Sequence, residues 1–173
     1  MKSLVIYSSK TGNTQAVANA ILEIMPEECG IFTVEEAPEP DSYDLIAMGF
    51  WVDRGTADAK AQVYMKKIHN QKVILFATLG AYPDSDHARD CMARAALLMD
   101  SSNELLGTFI CQGKLDNKLV EGFKTLPKDH PHALTPERIA RHQEASKHPN
   151  EEDFSKAKGI FQRILSMTQK HAG

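Results

Sequence analysis

Short apolar runs alternate along the chain with longer stretches that carry a helical repeat. Leu4–Tyr7 is the first apolar run. Thr14–Met25 then places Val17, Ile21, Leu22 and Met25 at spacings of three and four, which predicts a helix, and Pro26 stops it. Gly30–Val34 is a short β-branched run and reads as a second strand. Asp44–Met48, ending at Gly49, reads as a third, and Thr56–Ile68 suits a helix. Val73–Ala77 is continuously apolar, as a strand covered on both faces should be. Asp86–Met99 is a strong helix with Cys91, Ala95, Leu98 and Met99 on one side, and Gly107–Cys111 is a fifth strand. Asn150 reads as the cap of a last helix, with Glu151, Glu152 and Asp153 in its first turn, where the helix dipole favours negative charge. Phe154, Ala157, Ile160, Phe161, Ile164 and Leu165 form its apolar stripe, out to about Met167.

Five buried strands joined by helical crossovers imply an α/β protein: a doubly wound parallel sheet with helices on both faces. Such a sheet binds ligands outside the carboxyl ends of its strands, where the strand order reverses. One segment does not fit this minimal plan. Residues 112–149 contain Pro127, Pro131, Pro136 and Pro149 and four of the seven histidines. Inside it, Thr135-Pro136-Glu137-Arg138 has Thr at the cap and Pro at the first helical position, predicting a short helix near 136–146. No repeat or low-complexity tract divides the 173 residues, so one domain with an irregular excursion is expected.

Composition narrows the function classes. A formal net charge of −3 leaves no global footprint for nucleic acid, and no apolar run reaches membrane-spanning length. The first strand starts by residue 4, which predicts no leader peptide. Cys29, Cys91 and Cys111 are odd in number and lack CxxC spacing, so reduced thiols in a cytoplasmic protein are expected, two of them as core fillers.

The segment between the first strand and first helix carries the chemistry. Ser8-Ser9-Lys10-Thr11-Gly12-Asn13-Thr14 offers hydroxyls and free amides at a helix mouth, a setting that attracts anions. Gly12 lets the backbone take a positive φ and approach a ligand closely. The lysine-bearing P-loop pattern GxxxxGK[ST] is absent, as is GxGxxG after the first strand. A phosphorylatable receiver would need acidic residues where Ser8, Ser9 and Gly49 stand. A compact phosphate monoester, held by neutral hydroxyls and amides, remains.

An apolar strand followed by S-x-T-G-N-T and a helix resembles flavodoxin, whose motif cradles the phosphate of FMN. The resemblance covers roughly residues 1–115 and 150–170. It implies a five-stranded sheet of order 2-1-3-4-5 with FMN as cofactor. It makes Ser9, Thr11, Gly12, Asn13 and Thr14 the phosphate-loop residues, with Ser8 in the loop and Lys10 at a variable position. It also implies two loops around the flavin ring. The first contains Phe50, Trp51, Val52, Asp53, Arg54 and Gly55; the second contains Thr78, Leu79, Gly80 and Tyr82. Tyr82 resembles the ring-stacking tyrosine of the family, while matching Trp51 to the family tryptophan needs a gap. The peptide that flips toward N5 of the half-reduced flavin would lie in Val52–Gly55, and Arg54 would approach the N1–O2 edge or point to solvent.

Flavodoxins are usually strongly acidic, which disfavours the charge of the fully reduced flavin. This chain is mildly acidic and has Lys10 and Arg54 near the expected ring, so a less negative second potential is expected. His130, His132, His142 and His148 form a weak metal pattern with no nearby cysteine, and a locally basic face is the better reading. That excursion is expected to cover the sheet edge near the flavin or to meet a redox partner. The resemblance implies a single-electron carrier between a reductase and an acceptor enzyme, with no catalytic residue, no metal, no nucleic acid and no membrane. The alternative is an FMN-dependent NAD(P)H:quinone or FMN reductase on the same fold; a third is a binding module without cofactor, against which the intact SxTGNT argues.

Overall fold

A computed structural model describes residues 1–170. Its strands are β1 (Ser3–Tyr7), β2 (Gly30–Thr33), β3 (Leu45–Asp53), β4 (Thr56–Ala57), β5 (Lys72–Leu79) and β6 (Glu104–Gln112). Its α-helices are α1 (Asn13–Leu22), α2 (Ala59–Met65), α3 (Asp86–Ala96), α4 (Asn117–Lys124), α5 (Pro136–Ala145) and α6 (Glu151–Lys170). The sheet runs β2-β1-β3-β5-β6, all parallel, with β4 a short antiparallel partner of β3. Setting β4 aside, this is the 2-1-3-4-5 order that the sequence resemblance implies.

The continuous apolar runs are explained by cover on both faces. Leu4, Ile6, Met48, Phe50 and Leu75 point into one layer, packed with Tyr64, Met65 and Met92 of α2 and α3. Val5, Ala47, Ile74 and Phe76 point into the other, packed with Val17 and Ile21 of α1 and Phe161 of α6. Cys91 and Cys111 are buried and Cys29 is half-buried, all three as free thiols. Burial pushes the Cys29 thiol up to about 11.

Strands β3, β5 and β6 extend beyond the expected runs because pairing continues past the apolar centre. Residue 106 is an extra residue in β6, since Val73 pairs with Leu105 and Ile74 with Gly107. The expected helix over Thr56–Ile68 starts later, at Ala59. Arg54 and Gly55 both take positive φ, 49° and 81°, and make a two-residue hairpin turn that pairs Asp53 with Thr56. Asp58 then caps α2, its carboxylate accepting from the amides of Lys60 and Ala61. The helix over Pro136–Ala145 forms where Thr135 caps it, and α4 is an additional helix that the sequence reading did not anticipate.

At the centre of the sheet Gly49 pairs with Phe76 across β3 and β5. A methyl group on Gly49 would stand 2.2 Å from the Phe76 ring, which in turn meets Phe161 edge-on with centroids 6.2 Å apart. The ring is held between sheet and α6, so it has nowhere to move. Gly49→Ala is expected to cost about 1–3 kcal/mol through overpacking. A lower denaturant midpoint with an unchanged slope would show it.

Candidate functional site

The loop after β1 is held open by its own residues. Ser9 Oγ accepts from the amides of Gly12 at 3.1 Å and Gln15 at 3.4 Å. Gly12 takes a φ of 91°, with open space where a Cβ would lie. The next helical bond is Ala16 N–H to Gly12 O at 3.0 Å, so the amides of Asn13 and Thr14 at the mouth of α1 have no intrahelical acceptor. Thr14 and Thr78 share a buried hydroxyl bond of 2.9 Å, which ties this mouth to the end of β5. Exposed hydroxyls, free amides and a left-handed glycine are a donor set suited to a phosphate monoester.

The neighbouring loop is anchored below. Ser8 Oγ donates to Asp58 Oδ1 at 2.7 Å, and the Ser8 amide donates to Gly49 O. The Asp58 amide bonds Trp51 O, so the root of the hairpin is fixed to the strand end. Lys10 Nζ lies 5.4 Å from the Trp51 ring centroid, bringing the variable loop cation onto the chain's one tryptophan.

Two clefts open at this sheet edge. The smaller, about 170 Å³, is lined by Ser9, Lys10, Thr11, Asn13 and Thr14 of the first loop and by Trp51 and Val52. Thr78, Leu79 and Gly80 complete its floor. The larger, about 760 Å³, lies between the two expected ring loops and shares Val52, Leu79, Gly80 and Leu115 with the first. Gly55 lines this second cleft rather than the first. The remaining candidates lie elsewhere. Ser8 is buried on Asp58, Phe50 is fully buried in the core, and Asp53 sits at the hairpin root. Gly12 shapes the loop through its backbone. Tyr82 is 43% exposed and lines neither cleft.

The excursion supplies the roof, which sequence reasoning placed near the edge without naming its residues. Asn13 Nδ2 donates to Lys114 O at 2.8 Å, and a methyl on Gly113 would collide with Asn13. Leu115 packs on Gly80, where a methyl would come within 2.8 Å. Phe123 of α4 stacks between His132 and His142, at 6.2 and 5.8 Å. Buried Gln112 donates to Gly80 O and to Arg141 O, joining β6, the β5 loop and α5. The pairing of Leu119, Val120 and Phe123 on α4 was the available signal, but three apolar residues in a proline-rich tract are too few to reveal what they cover.

The match to known proteins follows this geometry. Residues 4–162 match the flavodoxin domain. The chain belongs to the flavodoxin family. It is 35% identical over 172 residues to the flavodoxin-like domain-containing protein BilS of Clostridioides difficile (strain CD3), covering 95% of this chain and 97% of that one. It is 27% identical over 191 residues to a BilS protein of Clostridium symbiosum, covering 100% of this chain and 98% of that one. Among solved structures, a WrbA-like flavodoxin from Agrobacterium tumefaciens aligns at a TM-score of 0.60, with 14% identity over 98% of both chains. Oxidised flavodoxin 2 from Bacillus cereus aligns at 0.55, with 18% identity over 96% of this chain and 99% of its own. These two share the fold. Within the flavodoxin frame the roof over the carboxyl edge comes from residues 113–146, which lie between the last strand and the last helix.

A charged corner fastens that roof. His148 Nδ1 stands 2.6 Å from Asp153 Oδ2 of α6, and its Nε2 3.3 Å from Glu144 Oε1 of α5. Lys147 also pairs with Glu144. The Asp153 carboxylate, then Glu144, raise His148 above its ordinary value of 6.5. A raised folded pKa stabilises the corner fully below the unfolded value and loses that contribution as pH rises through the folded one. Melting temperature is therefore expected to fall from pH 6 toward pH 8. His148→Gln should flatten this fall, and a variant as pH-sensitive as the parent would contradict it.

Proposed function

We propose that the chain binds FMN and carries single electrons between a reductase and an acceptor enzyme. The observation that carries this reading is the loop at 9–14, with its left-handed Gly12, its Ser9-organised turn and the free amides at the mouth of α1. It stands at the carboxyl edge of a flavodoxin sheet, and a flavoprotein of Lactobacillus acidophilus with the same fold was solved with FMN, at a TM-score of 0.52 and 15% identity over 70% of this chain and 97% of its own. The phosphate would be held by Ser9, Thr11, Asn13 and Thr14. The ring would lie between Trp51–Gly55 and Thr78–Gly80, under Leu115. The bound flavin supplies the redox chemistry; the protein supplies position, exclusion of water and electrostatic tuning.

A phosphate-directed site distinguishes FMN from riboflavin. Fluorescence titration is expected to give saturable FMN binding, with riboflavin weaker by at least roughly tenfold, the loss expected when charge-assisted bonds disappear. Ser9→Ala should weaken FMN while leaving riboflavin unchanged. Equal affinity for both flavins would reject the loop's assignment.

Charge sets the second part of the proposal. A cation near the flavin favours the negative charge of full reduction. Lys10 on Trp51 and the arginines of the larger cleft therefore support a second potential less negative than that of strongly acidic flavodoxins. Lys10→Gln is expected to move that potential to a more negative value in a redox titration. An unshifted couple would place Lys10 outside the tuning field.

A second reading, an FMN-dependent reductase of NAD(P)H, quinones or free flavin, is favoured by the roofed cleft, which offers a small molecule room beside the phosphate loop. Flavin bleaching by NADPH without a partner protein would favour it over the carrier.

A further inference from the structure

Four of the chain's six arginines, Arg54, Arg94, Arg138 and Arg141, line the larger cleft, and no aspartate or glutamate does. They converge from three places: the β3–β4 turn, α3 and α5. Their chain carries a net charge of −3, so general basicity does not explain them.

Little inside the protein satisfies these groups. Arg94 gives one N–H to Gly55 O at 3.1 Å and has Asp90 at 3.8 Å on its own helix. Arg138 gives one N–H to Ala133 O. Among the described residues Arg54 and Arg141 have no carboxylate within ion-pair distance. The Nε of Arg141 is buried without any acceptor. A buried N–H left so is costly, and it stands ready for an acceptor from a ligand or a bound water. Arg141 and Arg138, after burial, also hold His142 below its ordinary value, which marks a positive field with nothing yet to balance it.

The cations are all arginine. A planar guanidinium meets a carboxylate or phosphate through two parallel bonds, which a lysine cannot do. The walls between them are apolar and aromatic: Val52, Leu79, Leu115 and Phe123. At about 760 Å³ the cleft has the size of a small-molecule site. A flavin whose phosphate has its own loop does not call for four further cations.

We propose that the end of this cleft walled by Phe123, Arg138 and Arg141, beyond the part between Val52–Gly55 and Leu79–Gly80 where the flavin ring would lie, binds a flat organic anion with two or more acid groups, as a second ligand against the flavin. One acid group is taken by Arg54 and Arg94, the other by Arg138 and Arg141, and the flat body lies along Leu115 and Phe123. The proposal rests on the FMN reading only for the flavin's presence alongside. A concave, roofed cleft with a buried donor suits a small molecule better than an acidic protein surface, which would meet only the rim.

The full chain loaded with FMN provides the test, by calorimetry with flavin absorbance followed in parallel. Naphthalene-2,6-dicarboxylate probes a carboxylate ligand, NADPH a phosphate-bearing one, and naphthalene-2,6-dimethanol is the neutral control. At least one anion is expected to bind saturably, without releasing flavin, while the control does not. Arg138→Gln combined with Arg141→Gln should weaken that binding by roughly tenfold or more, with flavin retained. Arg54→Gln, on an exposed turn, should weaken it as well and carries the test if the double variant fails to fold. The proposal is overturned if neither anion binds, if the neutral control binds equally, if the arginine variants bind undiminished, or if the anion displaces FMN. Failure to take up FMN at the outset rejects the flavin reading instead; the same titration on the flavin-free chain then decides between binding and none.

Discussion

The site depends on β1 lying between β2 and β3 with all three strands parallel. This is where the strand order reverses, so the connections after β1 and β3 leave toward opposite faces and a crevice opens between them. Leu4, Val5 and Ile6 are fully buried, which fixes the register of β1 through contacts on both faces. The loop at 8–14 inherits that precision. Ser8 is tied to β3 through Gly49 O and to α2 through Asp58, so the open part of the loop begins only at Ser9. The turn can leave its amides unpaired because the residues on either side of it are held this firmly.

The same logic accounts for glycine at the crowded points. Gly49, Gly80 and Gly113 each face a neighbour that leaves no room for a methyl group: Phe76, Leu115 and Asn13. The first contact sets the spacing of sheet and α6, and the other two let the roof settle on the loop after β1 and the end of β5. The pair at Gly80 and Gly113 belongs to the excursion, as does the Asn13 bond to Lys114 O. Asn13 therefore serves two ends: its backbone amide stands free at the mouth of α1 while its side chain holds the cover.

What the sequence made legible follows from the range of each signal. Strand runs such as Val73–Ala77 and the stripe from Phe154 to Leu165 are local and predict the layers correctly, while the strand order follows from the family resemblance. The open turn at 9–14 is equally local, a motif that stands between a strand and a helix. The β3–β4 hairpin was missed because Arg54 takes the positive φ that an Asn or Asp would have announced, so Thr56 was read into the helix. Tyr82 suited the family pattern by its position after a glycine turn, but position alone does not aim a side chain, and it stands in solvent at 43% exposure. Helix α4 is hard to foresee because it buries no residue in the sheet's core: Leu119 stays exposed and Phe123 meets only His132 and His142 of the same excursion.

Charge is the property least readable along the chain. The net value of −3 describes the total, and it points away from any anionic ligand. Yet a site responds to the potential inside its own low-dielectric walls, where field lines are focused. Arg54, Arg94, Arg138 and Arg141 are separated by up to 87 residues, and only Arg138 and Arg141, three apart on α5, are related by their spacing. They meet because the hairpin, α3 and α5 all border the carboxyl edge of one sheet. All four positions lie outside the phosphate motif, and Arg138 and Arg141 lie outside the minimal fold altogether. The excursion therefore changes the chemistry of the edge it covers: it brings Arg138 and Arg141 to face Arg54 and Arg94 without altering the sheet beneath.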